Sequence, residues 1–248
     1  MRPRKRLSLM MLALAVAACS QGRADPAERA QDAGAAWRSP PHVEAVRPSG
    51  SDLSVSGQAA PGARVALRGA EGVVFAASAD DSGRFDIRMP APANAVLLTP
   101  EVQTGQEASP APERLLILAG GRGPIAALTP GGPSRRLDTR QPLGAVDWDG
   151  RMLALSGSVE PGAPVHLVID GRPAIEATGD KVGRWAAVAG GRPGPADISI
   201  NGRRYAYPGA DQTRAAATRA GEGWLIRQPL GEAGFQTTWL PDSAPASH

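Results

Sequence analysis

Three histidines, one cysteine and a scatter of carboxylates are the groups in this 248-residue chain with the capacity for chemistry. A nucleophilic triad or a metal centre needs His, Cys or convergent carboxylates at short spacing. His42, His166 and His248 lie far apart, the second at an outward position of an alternating apolar segment and the third at the last residue. The serines include no G-x-S-x-G nucleophile elbow. Asp80-Asp81 and Asp147-Trp148-Asp149-Gly150 lack the alternating oxygen ligands and distal Glu of a calcium loop, and read as turn stabilisers. GGRGP (120–124) and AGGR (189–192) lack the following helix and Lys-Ser/Thr pair of a phosphate cradle. The expectation is therefore no catalytic residue, no metal and no cofactor. Trp148, Trp224 and Trp239 remain as ligand candidates, because an exposed aromatic face stacks on sugar rings or protein side chains. All three also sit among apolar strand residues, where a β-sheet core would use them.

The cysteine is explained by its position. Arg2, Arg4, Lys5 and Arg6 precede an apolar run from Leu7 to Ala18, which is a secretory leader too short to span a bilayer. Val16-Ala17-Ala18-Cys19 resembles the lipobox of bacterial lipoproteins. That resemblance implies cleavage between Ala18 and Cys19, a diacylglycerol thioether on Cys19 and N-acylation, for example by palmitate. Several acyl chains make a lasting anchor where one is marginal. Ser20 stands where an Asp would signal inner-membrane retention, so the expected location is the outer membrane, facing the periplasm or the cell surface.

A pI near 9.6 suggests nucleic acid until the leader is removed. Without its four basic residues the chain has 23 Lys and Arg against 24 Asp and Glu. Those cations are scattered, whereas a nucleic-acid binder concentrates them in a patch. The expected partners are a membrane through the lipid and an envelope protein or peptidoglycan, with no nucleic acid.

Elements that would position any site follow from a repeat. Residues 45–85 align without a gap on 145–185, with SGQAAPGARVAL (56–67) answering SGSVEPGAPVHL (156–167). Leu53 and Val55, like Leu153 and Leu155, are two apart, the period of a strand with one buried face. Ala60-Pro61-Gly62-Ala63 and Glu160-Pro161-Gly162-Ala163 fit type II turns, and inward Val65 and Leu67, or Val165 and Leu167, follow. DDSGRF and DKVGRW supply an Asp to bond the turn backbone, a Gly for the left-handed position, and Phe85 or Trp185 to begin the next core strand. Asn201-Gly202 predicts a type I′ hairpin that pairs Ile200 with Arg203 and Ile198 with Tyr205, with RLLILAGGRGPIAAL (114–128) as its expected counterpart. RQPLG at 140–144 and 227–231 suggests a closing strand in each half, and GWLIRQPL with GFQTTWL a last strand pair. Residues 211–220 fit a helix or a loop.

The pattern S-G-x-x-x-P-G-A-x-V-x-L followed by D-x-x-G-R-aromatic resembles bacterial Ig-like repeats of envelope proteins, and also the carboxypeptidase regulatory-like, transthyretin-type sandwich. Strand order separates the two. Either resemblance implies an all-β protein and no active site in the motifs. The expected organisation is a signal peptide at 1–18, a flexible tether at 19–42, Ig-like sandwiches at 43–143 and 144–242, and a disordered tail at 243–248. The expected role is structural or protein-interacting without catalysis, with glycan or peptidoglycan binding through exposed Trp residues as the alternative.

Overall fold

The computed structural model describes residues 40–105, 107–118, 123–191, 193–210 and 216–243. The expected leader, Cys19, nearly all of the tether and residues 244–248 of the tail lie outside the described residues, as does 211–215. Among the described residues ten strands lie in the first half: β1 (His42–Ser49), β2 (Asp52–Gln58), β3 (Arg64–Arg68), β4 (Val74–Ser78), β5 (Arg84–Pro90), β6 (Val96–Thr104), β7 (Glu107–Pro110), β8 (Arg114–Ile117), β9 (Ile125–Leu128) and β10 (Arg135–Arg136). Ten follow in the second: β11 (Ala145–Trp148), β12 (Met152–Ser158), β13 (Pro164–Ile169), β14 (Arg172–Thr178), β15 (Arg184–Gly190), β16 (Ala196–Ile200), β17 (Arg203–Tyr207), β18 (Ala217–Arg219), β19 (Gly223–Pro229) and β20 (Phe235–Pro241). The described residues contain no α-helix, only 3-10 turns at Ala70–Gly72 and Gly231–Ala233.

Both halves are built on one plan. A three-stranded sheet β1-β2-β5 packs against a second sheet in the order β4-β3-β6-β8, and β11-β12-β15 packs against β14-β13-β16-β17. This is the seven-stranded Ig-like arrangement, with strands A, B and E on one face and C′, C, F and G on the other. The protein is therefore all-β, with two tandem Ig-like sandwiches. The alternation read from the sequence fills their cores. Val43, Leu53, Val55, Val65, Leu67, Phe85 and Ile87 meet in the first, and Leu153, Leu155, Val165, Leu167, Trp185, Ile198 and Tyr207 in the second.

The turns explain why the repeat keeps the residues it does. Gly62 (φ 71°) and Gly162 (φ 74°) take the left-handed position, and Ala63 N–H and Ala163 N–H close each turn on the carbonyls of Ala60 and Glu160 at 3.0 Å. The Ser-Gly pair has a different cause. A Cβ on Gly157 would lie 2.0 Å from the Pro142 carbonyl oxygen and 2.8 Å from the Trp185 indole nitrogen, and one on Gly57 would lie 2.1 Å from the His42 carbonyl oxygen. The core aromatic rests directly on that glycine in each copy, since Gly57 pairs with Phe85 and Gly157 with Trp185.

Three expectations are corrected. His42 opens β1 rather than closing the tether. RQPLG enters a strand only at its second occurrence, where Arg227, Gln228 and Pro229 end β19; at 140–144 it is the irregular link into β11. Residues 217–219 are a strand, β18, on the edge of the sheet β15-β12-β11-β20-β19-β18.

Candidate functional site

The junction between the sandwiches is where buried polar groups concentrate. Strands β8 and β9 send Leu115, Ile117, Ile125 and Ala127 into the first core. Their other face presents Leu116, Leu118, Ala126 and Leu128, which join Ala145, Ile226 and Leu240 of the second half in a third apolar core. Two sheets that would otherwise face water are thereby stacked on each other.

Beside this core lies Asp147 of β11, 2% exposed. Its carboxylate accepts hydrogen bonds from Ser134 N–H and Ser134 Oγ (2.7 Å each), Gln236 Nε2 (2.7 Å) and Thr238 Oγ1 (2.5 Å). Burial pushes the Asp147 carboxyl up to about 6, against the opposing pull of the hydrogen bonds from Thr238, Ser134 and Gln236. Gln236 also donates to the carbonyls of Thr129 (3.1 Å) and Gly132 (3.3 Å) and accepts from Gly131 N–H (2.7 Å). Ser156 Oγ donates to the Ser134 carbonyl. A loop of the first sandwich is thus held by side chains of β11, β12 and β20.

Glu113 ties the first strand to the same region. Val43 N–H (3.0 Å) and Arg135 Nη2 (2.8 Å) donate to it, and His42 Nδ1 lies 3.3 Å away. Burial raises its carboxyl, but the His42 hydrogen bond and the Arg135 charge outweigh that and hold it at about 2. The third buried carboxylate, Glu101, is gripped by Arg68 at 2.6 Å on the outer face of β3 and β6.

Two clefts flank the link at 136–141, with volumes of about 780 Å³ and 320 Å³. They are related by the repeat: Ser56, Asp80, Arg84 and Phe85 line the larger, and Ser156, Asp180, Arg184 and Trp185 the smaller. Asp80 Oδ1 accepts from Ser82 N–H, Ser82 Oγ and Arg84 N–H at 2.7–2.9 Å, and Asp180 Oδ1 from Val182 N–H and Arg184 N–H at 2.8–2.9 Å. These carboxylates are committed to their turns, and the hydrogen bonds hold both below the usual Asp range. Asp149 likewise accepts from Arg151 N–H and Met152 N–H at 2.8 Å.

The three tryptophans are not brought together. Trp239 is 1% exposed, with its indole N–H on the Ala220 carbonyl (3.3 Å) and its ring edge-on to Tyr207 at 5.7 Å, so it has no free face. Trp148 is half-buried against the second core. Trp224 is half-buried beside the third, with the Arg219 guanidinium 5.5 Å above its ring. His166 is exposed, 3.8 Å from Glu176. Ala18 and Cys19 lie outside the described residues. Sequence reasoning missed Asp147, Ser134, Gln236 and Thr238 as a cluster; only the buried-strand setting of AVDW and FQTTWL hinted at polar groups in need of partners.

No protein-family model matches the chain, and no curated protein matches it. Among solved structures it is similar to a biofilm associated protein BSP domain, at 13% identity and TM-score 0.26, covering 70% of this chain and 30% of that one. It is also similar to the central fibronectin-III array of RIM-binding protein, at 11% identity and TM-score 0.27, covering 85% and 75% respectively. The chain spans less than a third of the length of the first.

Proposed function

We propose that the protein is a cell-envelope lipoprotein, anchored through Cys19 to the outer membrane and displaying two fused β-sandwiches as a structural or protein-interaction module without catalysis. One observation carries the non-catalytic part. The three buried carboxylates among the described residues, Glu101, Glu113 and Asp147, are each bound by groups that hold strands or the junction together. A carboxylate kept for acid–base or metal chemistry faces a cleft with lone pairs to spare. The anchor rests on the leader and the Val16-Ala17-Ala18-Cys19 motif.

The test is fractionation of cells making the full chain with Cys19→Ala. The variant is expected in the soluble envelope fraction while the parent needs detergent for release. Continued detergent dependence of the variant overturns the anchor. Retention of the parent chain on purified sacculi would favour glycan binding over a protein partner.

A further inference from the structure

At an offset of one hundred residues the two A-B-E sheets share backbone and register: Ser54 pairs with Arg88 as Ala154 pairs with Val188, and Asp52 with Pro90 as Met152 with Gly190. Their outer faces are opposites. In the first copy Asp52, Ser54, Asp86 and Arg88 form a polar lattice, with Ser54 Oγ on the Asp86 carboxylate (2.5 Å), Arg88 Nη2 on Ser49 Oγ (2.7 Å) and Arg88 Nε 3.8 Å from Asp52. The same positions in the second copy are Met152, Ala154, Ala186 and Val188, with Met152 41% and Val188 53% exposed. Pro90, which has no N–H to give, becomes Gly190.

The strip borders an open edge. Among the described residues β15 pairs with β12 alone, and from Trp185 to Gly190 it carries no charge. An edge of unpaired N–H and C=O groups beside an apolar face is a template for another strand, and charged residues and proline are the usual protection against it. The first copy has that protection on β5, and the second has lost it. Other edges keep theirs: β14 carries Arg172, Pro173 and Glu176, β17 carries Arg203 and Arg204, and uncharged β4 lies beside Arg64 and Arg68 of β3.

We propose that the β15 edge and its apolar strip form a homotypic docking surface on which a second copy of this chain pairs antiparallel. The chemistry selects the occupant. The strip has no charge to offer a charged partner, so the complement is an uncharged strand with small outward residues, and β15 is such a strand. About a two-fold axis at Val188, Val188 meets Val188 and Ala186 meets Gly190, with Met152 and Ala154 of each copy flanking the seam. Because both copies contribute the same edge, the contact is isologous and closes at two copies instead of growing into a fibre. Single-strand pairing buries an area at the low end for stable complexes, so the contact is transient in dilute solution and favoured at high local concentration.

This rests on reading the protein as an interaction module, and it is tested separately from the anchor. Full-length Val188→Cys and, at the matched site of the first copy, Arg88→Cys are treated in cells with a short bismaleimide, the parent chain serving as blank. Val188→Cys is expected to give a dimer band at least tenfold stronger than Arg88→Cys. In cells making Ala186→Cys and Gly190→Cys chains together, whose thiols lie opposite each other in this register, adding Val188→Arg to both is expected to abolish the same band while leaving membrane fractionation unchanged. Equal crosslinking of Val188→Cys and Arg88→Cys overturns the proposal, and so does capture by Val188→Cys of a different protein in place of a second copy.

Discussion

The final strands of the two sandwiches solve one problem in opposite ways. In the second, β16 and β17 are joined by Asn201 (φ 49°) and Gly202 (φ 85°), and the hairpin buries one face. Ile198, Tyr205 and Tyr207 point inward, while Asp197, Arg204 and Ala206 are exposed. In the first, the strand opposite β6 is broken into β7 and β8, and β8 with β9 is buried on both faces. A solvated hairpin ends a domain, whereas a hairpin apolar on both sides joins it to another. The repeat is strict through residues 45–85 and 145–185 because both copies need that framework. It diverges afterwards because only the first copy has a neighbour to hold on that side.

A charge placed on the outer face of each final hairpin breaks the comparison most sharply. Leu116 of β8 is 5% exposed and faces the third core, while Ala206 of β17 faces water. Leu116→Arg is expected to cost about 4 kcal/mol or more by burying an unpaired cation, and Ala206→Arg less than about 0.5 kcal/mol. Urea unfolding of the two variants measures both. Equal costs would mean that β8 and β9 do not join the halves.

Much of this was legible in the sequence, and the reason is local. Period-two alternation, Pro-Gly and Asn-Gly turns and the Asp-x-x-Gly-Arg motif each set their conformation within a few residues, so strands, register and the Ile198–Tyr205 pair are found where the spacing puts them. The junction is not local. LLIL and IAAL do announce burial on two faces by lacking alternation. What covers the second face comes from Ala145, Ile226 and Leu240, far along the chain, and nothing nearby names them. Asp147 misled for the same reason: beside Asp149 it resembles a turn acid, and only Asp149 is one. Asp147 sits on the outer face of β11, where Ser134, Gln236 and Thr238 reach it from distant segments. The apolar β15 edge was readable as a difference between aligned copies, since Asp86 and Arg88 stand against Ala186 and Val188.

The Asp147 cluster makes the junction sensitive to pH. Asp147→Ala leaves the donors of Ser134, Gln236 and Thr238 without an acceptor and is expected to cost about 3 kcal/mol. Because its carboxyl titrates at about 6 in the folded protein, above the value near 3.9 of an unfolded Asp, the native state holds the proton more tightly. Stability contributed by this group is therefore gained as pH falls from about 6 towards 4, by up to about 3 kcal/mol. Glu113, held at about 2, works in the other direction and only below about 4, where its stabilising charge is lost as it takes up a proton. The melting temperature is expected to rise between pH 7 and pH 5, and Asp147→Asn to flatten that slope. A slope that survives in Asp147→Asn would assign the effect to another group.

A smaller effect than either belongs to the turn that makes the second hairpin tight. Gly202 sits at φ 85° with no atom within 4 Å of the place a Cβ would take, so Gly202→Ala meets no neighbour and its whole cost is left-handed backbone strain, about 1 kcal/mol. Asn201 separates turn strain from strand pairing. Its Nδ2 donates to the Pro164 carbonyl (3.0 Å) and its Oδ1 accepts from His166 N–H (2.7 Å), extending the ladder of β13 beyond Ile200. Asn201→Gly keeps the left-handed conformation and removes only those two bonds, so it is expected to destabilise by about 1 kcal/mol as well. If the two changes are additive in urea unfolding, turn and ladder act independently. If the double variant costs clearly more than the sum, the hairpin is held by its turn and the Asn201 bridges together, a coupling that the broken strand of the first sandwich cannot reproduce.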